Sequence, residues 1–595
     1  MLRRLRRSGL LSLAALTAIA TAGTAQVTRP TVPTTPKPAP RKSAPRVVPP
    51  RVACDGDTIT AIEVRSHAPT ATGLVRQARA LTERALRTPH EVTRPEIITA
   101  YMRLAVGSIC TERNRGESER LLRAQPFIAS AAVRGIRDSP GHVHLVVDVT
   151  DELRPIAGAG VSHGQVSALL LGTQDFQGTG LSLQAHAERG FAYRNGFGMQ
   201  AVQYGLLGRP AFVAVEAARR PVGGEVGRVE LTEPYLTDLQ QRAFHASASV
   251  VSGYTDLVRP AGEAMSLFVR RTTYNIAWVT RLRRLSGRGA VALVGVALLG
   301  EDVRTAPDLS IIADTGIVAG PPSPFSFPAY ATTRIAAIGG VRALRFVTVQ
   351  GFDALSAEQD MGVGVQFNLL AGSSKFTPKH TDDVFFASDL YAGAGGPGSF
   401  VVARVLAEGR LVNQTHQWDG VVMSGRVGWY GNASGERLHM ASVEMAGLQH
   451  LVFPAQLTFG DAEGGLAGYS GASDVGAQRM VMRLEERRLL HTFGSHADAA
   501  VGVFLAAGKL WAGDAPYGRS TPLLASAGLS LFGAYPSGGK RTYRVDLAFP
   551  LNADRGNSHI ELRFSATDRT RMLWREPSDV AHARSGAVPV SLMRW

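Results

Sequence analysis

The residues of this chain that could do chemistry are few, and their spacing argues against catalysis. Cys54 and Cys110 are its two cysteines, too widely separated to suggest the clustered ligands of a zinc site. Serine, histidine and acidic residues are plentiful. Yet no nucleophile beside a base, and no carboxylate pair, is gathered into a catalytic motif. His186 and His245 stand alone among polar positions, where lining a wall is the plainer role. The expectation is a protein that is not an enzyme and takes no cofactor or metal. The most patterned stretch is Phe459 to Arg488. It opens with Gly460, Gly464, Gly465, Gly468, Gly471 and Gly476, then runs into the alternating Met480-Val481-Met482-Arg483-Leu484-Glu485. Glycine allows dihedrals and close approaches that other residues do not. Such an excursion either packs back on something or lies as a loop on the surface.

The elements that must carry these residues follow from the rest of the chain. It has 595 residues, 45% hydrophobic and 19% charged, enough for a large core or two domains and too apolar for general disorder. Arg3, Arg4, Arg6 and Arg7 precede a short apolar run from Leu10 to Ile19, with small residues at Ala20, Ala22, Gly23 and Ala25. This reads as a secretory leader over 1–25, cleaved after Ala22 or Ala25. No run of about 20 apolar residues follows, so insertion in a membrane would require a closed barrel. In that compartment a disulfide is chemically allowed. The net charge of +15 falls by the four leader arginines. In an exported protein the remainder points to anionic lipid headgroups or a basic pore lining, and no nucleic acid is expected as a partner.

Residues 26–50 are a proline-rich linker. From 51 to 154 the pattern is that of a small α/β module. A strand is predicted over Ile59–Val64, and Leu74, Val75, Ala78, Leu81 and Ala85 repeat at helical spacing. Thr93-Arg94-Pro95-Glu96 reads as a capping-box helix start. A further helix around Glu117 to Ala124 is followed by a hairpin about Ser139-Pro140-Gly141. From Pro155 to Trp595 the period becomes two. Leu181, Leu183, Ala185 and Ala187 alternate with Ser182, Gln184, His186 and Glu188; Phe244, Ala246, Ala248 and Val250 alternate with His245, Ser247 and Ser249. Apolar-out, polar-in alternation repeated this often is the signature of a transmembrane barrel. Tyr274, Trp278, Trp418, Trp429, Tyr430, Trp511 and Trp574 suit its interface girdles.

Gly464-Gly465-Leu466-Ala467-Gly468-Tyr469, followed by Glu485-x-Arg487, resembles the lumen-folding loop and next strand of the BamA/TamA superfamily of outer-membrane proteins. The strand–helices–strand–strand order, with SERLLRAQPF before the hairpin, resembles a POTRA domain. Gly172 to Gly180 resembles the first barrel hairpin turn, and Glu233-Pro234-Tyr235 the start of a later strand. Phe504 to Trp511 and Tyr543 to Leu551 resemble closing strands. The resemblance implies a mainly β protein: an antiparallel barrel of about 16 strands over 155–595, preceded by one POTRA-like periplasmic domain over 51–154. It implies an outer-membrane location and a role in inserting or translocating polypeptides. The implied partners are lipid with anionic headgroups, unfolded or translocating polypeptides, and periplasmic assembly partners met through the N-terminal domain. A passive barrel or pore is the alternative. Cys54, before the first strand, and Cys110, before the last helix, are positions such a fold could bring together in a bond; two free thiols are the alternative.

The chain departs from the family at one internal ion pair. The loop arginine is replaced by Ala467, and the aspartate of the Phe-x-Asp-x-Gly strand by Ala506, in Phe504-Leu505-Ala506-Ala507-Gly508. Loss of both partners is close to neutral, whereas loss of one would strand a charge at about 3–5 kcal/mol. The loop is therefore expected to fold inward, held by glycine-permitted packing and Tyr469. At the C-terminus either Ser585 to Trp595 closes the barrel or His559 to Trp574 does. Pro589 lacks a ladder donor, so the expectation is a closing strand over 559–574 with the tail outside the barrel wall.

Overall fold

The computed structural model describes residues 54–69 and 91–593, apart from segments at 163–164, 192–193, 260–264, 286–288, 314, 376–381, 433–434, 462, 471–473, 491–496, 536, 553–559 and 569–573. The leader, the linker and the helical spacing of Leu74 to Ala85 lie outside the described residues.

The N-terminal domain is a four-stranded mixed sheet. Asp55–His67 pairs with Ile109–Thr111 on one side and runs parallel to His142–Asp151 on the other, which in turn pairs with Ile128–Ser139. The Glu112–Arg123 helix covers it, started by the Thr111 hydroxyl accepting the Asn114 N–H. That helix buries Leu121 and Leu122 against Ile59, Val143, Leu145 and Val147. Cys54 and Cys110 are joined in a disulfide, their Cα atoms 4.8 Å apart. The Pro95–Thr99 helix forms without the expected capping box: its N-cap is Arg94, with no side-chain hydrogen bond. Thr93 is drawn away from it. Its backbone N–H donates to Asp151, and its hydroxyl lies 2.8 Å from Asp151 and 2.9 Å from Asp175. The bond the Thr93 hydroxyl donates to a buried carboxylate is charge-assisted and stronger than the neutral bond it would accept as a cap, so tertiary contact overrides the local motif.

From Pro155–Ser162 to Glu561–Asp568 the chain forms a closed barrel. Among the described residues, twenty-two strands are ordered around it. One hairpin, Asp308–Ala313 with Gly316–Pro322, stands above the rim, because Ala290–Thr305 pairs directly with Tyr330–Val349 beneath it. The wall thus has twenty strands rather than about 16. Alternation marks each strand but not how many close the ring, which ladder pairing between distant segments decides. The last strand is Glu561–Asp568, inside the expected 559–574, and it closes on Pro155–Ser162. Strand length is uneven: Met265–Leu285 has 21 residues and Tyr330–Val349 has 20, against 8 in each strand of the closing pair.

The faces alternate as expected. On Ala290–Thr305, Val294, Val296 and Leu298 point outward and are exposed, while Ala297, Leu299 and Glu301 are buried inward. Tyr274, Trp278, Trp418 and Trp429 lie on the exposed face. Tyr430 does not: it is buried inside, stacked on Phe352. Trp574 also turns inward, donating to Glu444. Glu233-Pro234-Tyr235 ends the Glu225–Glu233 strand instead of starting one, since Pro234 cannot donate to the ladder.

The N-terminal domain docks on one mouth of the barrel. Arg123 grips Asp360 through two bonds of 2.9 and 2.7 Å, Arg120 donates to the Leu236 carbonyl, and the Lys540 N–H donates to Glu152. Asp151, Arg154 and Asp175 tie the same domain to the first hairpin turn, where Asp175 also accepts the Gly180 N–H.

Candidate functional site in the barrel lumen

The glycine-rich segment leaves the wall between Arg437–Gln449 and Gln478–Leu490 and enters the lumen. A two-residue ladder, Leu457–Thr458 against Val475–Gly476, pins its base. Above that base the Asp461 carboxylate accepts the Glu463 and Gly464 N–H groups, each at 2.9 Å. The Leu466 N–H returns to the Phe459 carbonyl. Gly468, at φ +93°, turns its N–H onto Glu561 at 2.5 Å, a conformation that favours glycine. The Tyr469 hydroxyl lies 2.8 Å from the Ala525 carbonyl and 2.9 Å from the Asn552 side chain.

The loop meets the strand carrying Phe504, Ala506 and Gly508. Leu466, Ala467 and Tyr469 are buried in one cluster with Phe504, Ala506 and Leu510. A side chain at Gly508 would fall 2.8 Å from the Phe459 ring and 3.3 Å from Leu466, so glycine is what admits the loop there. Ala467 and Ala506 contribute only apolar contact to this cluster, on the edge of a cavity lined by Arg483 and Arg563. The charges that hold the loop come from elsewhere.

Besides Glu561 of the last strand, they come from the C-terminal tail, which lies inside the lumen and not outside the wall. Ser578 donates its N–H and hydroxyl to Asp461, and the Asp579 N–H reaches the same carboxylate. Arg479 of the wall pairs with Asp579. Burial pushes the Asp461 carboxyl up, but the bonds from Ser578, Gly464 and Glu463 outweigh it and hold its pKa below the ordinary value. Asp579 is shifted upward, because burial outweighs the Arg479 charge.

Past the Ser578–Ala583 helix, Arg584 donates to Glu576 at 2.7 and 2.8 Å, to Ser424 at 3.0 Å, and to the Leu406 and Val422 carbonyls. Ser585 donates to Glu301, and Arg271 donates to the His582 and Arg584 carbonyls. Ala587, Val588 and Leu592 then pack on Ala297, Leu299, Ile338 and Phe385. Residues from Val590 to Met593 form a helical turn and no strand. Val580 and Ala583, three apart on the Ser578–Ala583 helix, are both buried, and that spacing is the only sequence signal for this segment.

Glu485 and Arg487 are buried side by side on the inner face of Gln478–Leu490. Glu485 accepts from Arg487 at 2.9 Å, Arg544 at 2.7 Å and Arg483 at 3.1 Å, and Arg544 also bonds Asp546. Arg483 stacks over Phe504, and Arg487 and Arg544 over Phe532. Arg487 further donates to the Phe352 carbonyl of the inward turn at 350–358. Arg483, Arg487, Phe532, Arg544 and Asp546 border a cavity of about 1290 Å³ between the lumen and the N-terminal domain. Arg123, Arg426, Arg483, Arg487, Lys540 and Arg544 are among its lining, with Asp353, Asp360 and Glu444 opposing them. It is a basic lining held in shape by shared carboxylates. His245 faces inward, 2.7 Å from the Thr232 hydroxyl, as part of the wall. Among the described residues no His, Cys, Asp and Glu group is arranged to hold a metal.

No family model matches the chain, and no curated protein matches it. Among solved structures, BamA from Haemophilus ducreyi lacking POTRA domains 1–3 superposes with a TM-score of 0.38 at 12% identity, over 86% of this chain and 85% of that one. CdiB from Escherichia coli superposes at 0.37 with 11% identity, over 89% and 91%. CdiB from Acinetobacter baumannii superposes at 0.37 with 6% identity, over 86% and 73%. Superpositions this loose carry no argument about the site, which stands on its own geometry.

Proposed function

We propose that this chain is an outer-membrane barrel that assists the insertion or translocation of polypeptides, without a catalytic step, its N-terminal domain acting as a periplasmic POTRA-like module. The observation that supports it best is the glycine-rich loop seated in the lumen against the Phe504–Gly508 segment. That is the placement expected from the resemblance of Gly464 to Tyr469 and of Glu485-x-Arg487 to the BamA/TamA loop and strand. The exposed apolar exterior suits a bilayer, and the docked domain at one mouth suits contact with unfolded chains and assembly partners.

A second reading has an observation of its own. Ala467 and Ala506 leave the loop without its ion pair, and the tail fills the lumen beside it. A polypeptide could cross this lumen only after the tail had left it. On that reading the protein is a passive structural barrel. Reconstitution in liposomes separates the two. Faster insertion of an unfolded barrel client than in empty liposomes is the expected result; a rate equal to that of empty liposomes leaves the passive barrel.

A further inference from the structure

The outer face of the longest hairpin changes character along its length. Its outward cross-strand pairs run Trp278 with Val296, Ile276 with Leu298, Tyr274 with Gly300, Thr272 with Asp302, and Arg270 with Arg304. The first two pairs are exposed and apolar. Tyr274 closes that belt: its ring lies over Gly300 and its hydroxyl is 2.7 Å from the Thr333 hydroxyl on the next strand. Two steps further on, at the barrel end away from the N-terminal domain, two arginines are paired directly opposite each other.

Like charges in such positions repel. Arg304 forks onto Asp302 at 3.0 and 3.2 Å, with its side chain 71% exposed. The Arg270 side chain is exposed and has no hydrogen bond or ion pair among the described residues. The nearest other charges in the row are Glu225 and Arg219, which face each other across their own strand pair. Ser252 lies between them and Arg270 and spends its hydroxyl on the Glu225 N–H. One positive charge is therefore left over at Arg270, beside an Arg304 that is paired with Asp302. Residues directly opposite each other in an antiparallel pair hold their Cβ atoms about 4.5–5.5 Å apart, so both side chains can reach one phosphate.

We propose that Arg270 and Arg304 bind the phosphate of a lipid headgroup, with the acyl chains lying on Ile276, Trp278 and Leu298. An amphiphile fits better than free phosphate because the apolar belt begins on the same face two cross-strand pairs below the arginines, past Thr272 and Asp302. The proposal rests on the reading of the barrel as membrane-spanning, but on neither account of polypeptide handling.

Native mass spectrometry of the full chain in micelles tests it, with phosphatidic acid, phosphatidylcholine of the same chains, and inorganic phosphate as probes. Phosphatidic acid should bind preferentially, and Arg270→Gln with Arg304→Gln should weaken it by roughly 25-fold, about fivefold per arginine. Arg270→Lys should keep most of the binding. Unchanged phosphatidic acid binding in the double variant would overturn the site. So would displacement of the lipid by inorganic phosphate at equal concentration. A measurement on the unaltered protein stands beside these. Phosphatidic acid, and not phosphatidylcholine, should protect Arg270 and Arg304 from phenylglyoxal; equal labelling in both lipids refutes the assignment. Failure of the protein to integrate into vesicles would sink the membrane reading itself, whereas an integrated barrel without the preference sinks only this site.

Discussion

Arg584 of the C-terminal tail lies 3.4 Å from Glu408 on the inner wall, while its other donors hold Glu576 of the tail itself. One guanidinium thus joins the last segment of the chain to the lumen and sets the shape of that segment. The expectation of a tail outside the barrel fails on this contact and on the apolar residues that follow it.

Arg584→Gln should destabilise the folded barrel by roughly 3–5 kcal/mol, because it leaves Glu408 and Glu576 buried without a counter-charge. Adding Glu408→Gln and Glu576→Gln should return much of that loss. Thermal unfolding followed by heat-modified mobility reads both steps. A single variant as stable as the parent would show that Arg584 is not buried in the lumen.

Deleting residues from Ser578 onward should leave the wall intact, since none of its ladder pairs involves the tail. The lumen should open and the glycine-rich loop lose the partner of Asp461. Single-channel conductance in planar bilayers should rise clearly above that of the parent, and the loop should become sensitive to added protease. Unchanged conductance would mean that the tail does not fill the passage.

Ala467→Arg alone and Ala506→Asp alone should each harm the protein by placing a charge in an apolar cluster. Together they should recover much of the loss, with a coupling of roughly 0.5–3 kcal/mol. Thermal unfolding of the two single variants and the double variant measures it. Additive effects would show that the two positions do not meet.

The hold of the loop on the tail should weaken in acid. Asp461 has a folded pKa below its ordinary value, so its contribution is present above that ordinary value and is lost as pH falls through the depressed one. The window therefore lies at about pH 4 and below. Asp579 is shifted the other way, so its protonation favours the folded form and does not cause the release. Accessibility of a C-terminal tag to protease, measured against pH, should rise in that window. In Asp461→Asn the rise should be present already at neutral pH; a pH profile identical to the parent would remove Asp461 from the account.

Much of the architecture is a local property of the chain. The alternation of Phe244, Ala246 and Ala248 with His245, Ser247 and Ser249 assigns both the strand and its faces, because a strand puts every second side chain on the same side. Leu121 and Leu122 in the Glu112–Arg123 helix, and the glycines around Leu466, are equally legible, since periodicity and glycine need no distant partner to be read. What the tertiary structure alone decided depends on pairing between remote segments. Twenty strands, and not about 16, close the ring, because closure belongs to the ladder as a whole. Thr93 serves Asp151 and Asp175 instead of capping its helix, and Tyr430 turns into the lumen to stack on Phe352. The tail could be seen to be no strand from Pro589. That it fills the lumen was settled only by Glu408, Glu301 and Asp461, three carboxylates far back in the sequence whose buried charges needed the donors of Arg584, Ser585 and Ser578.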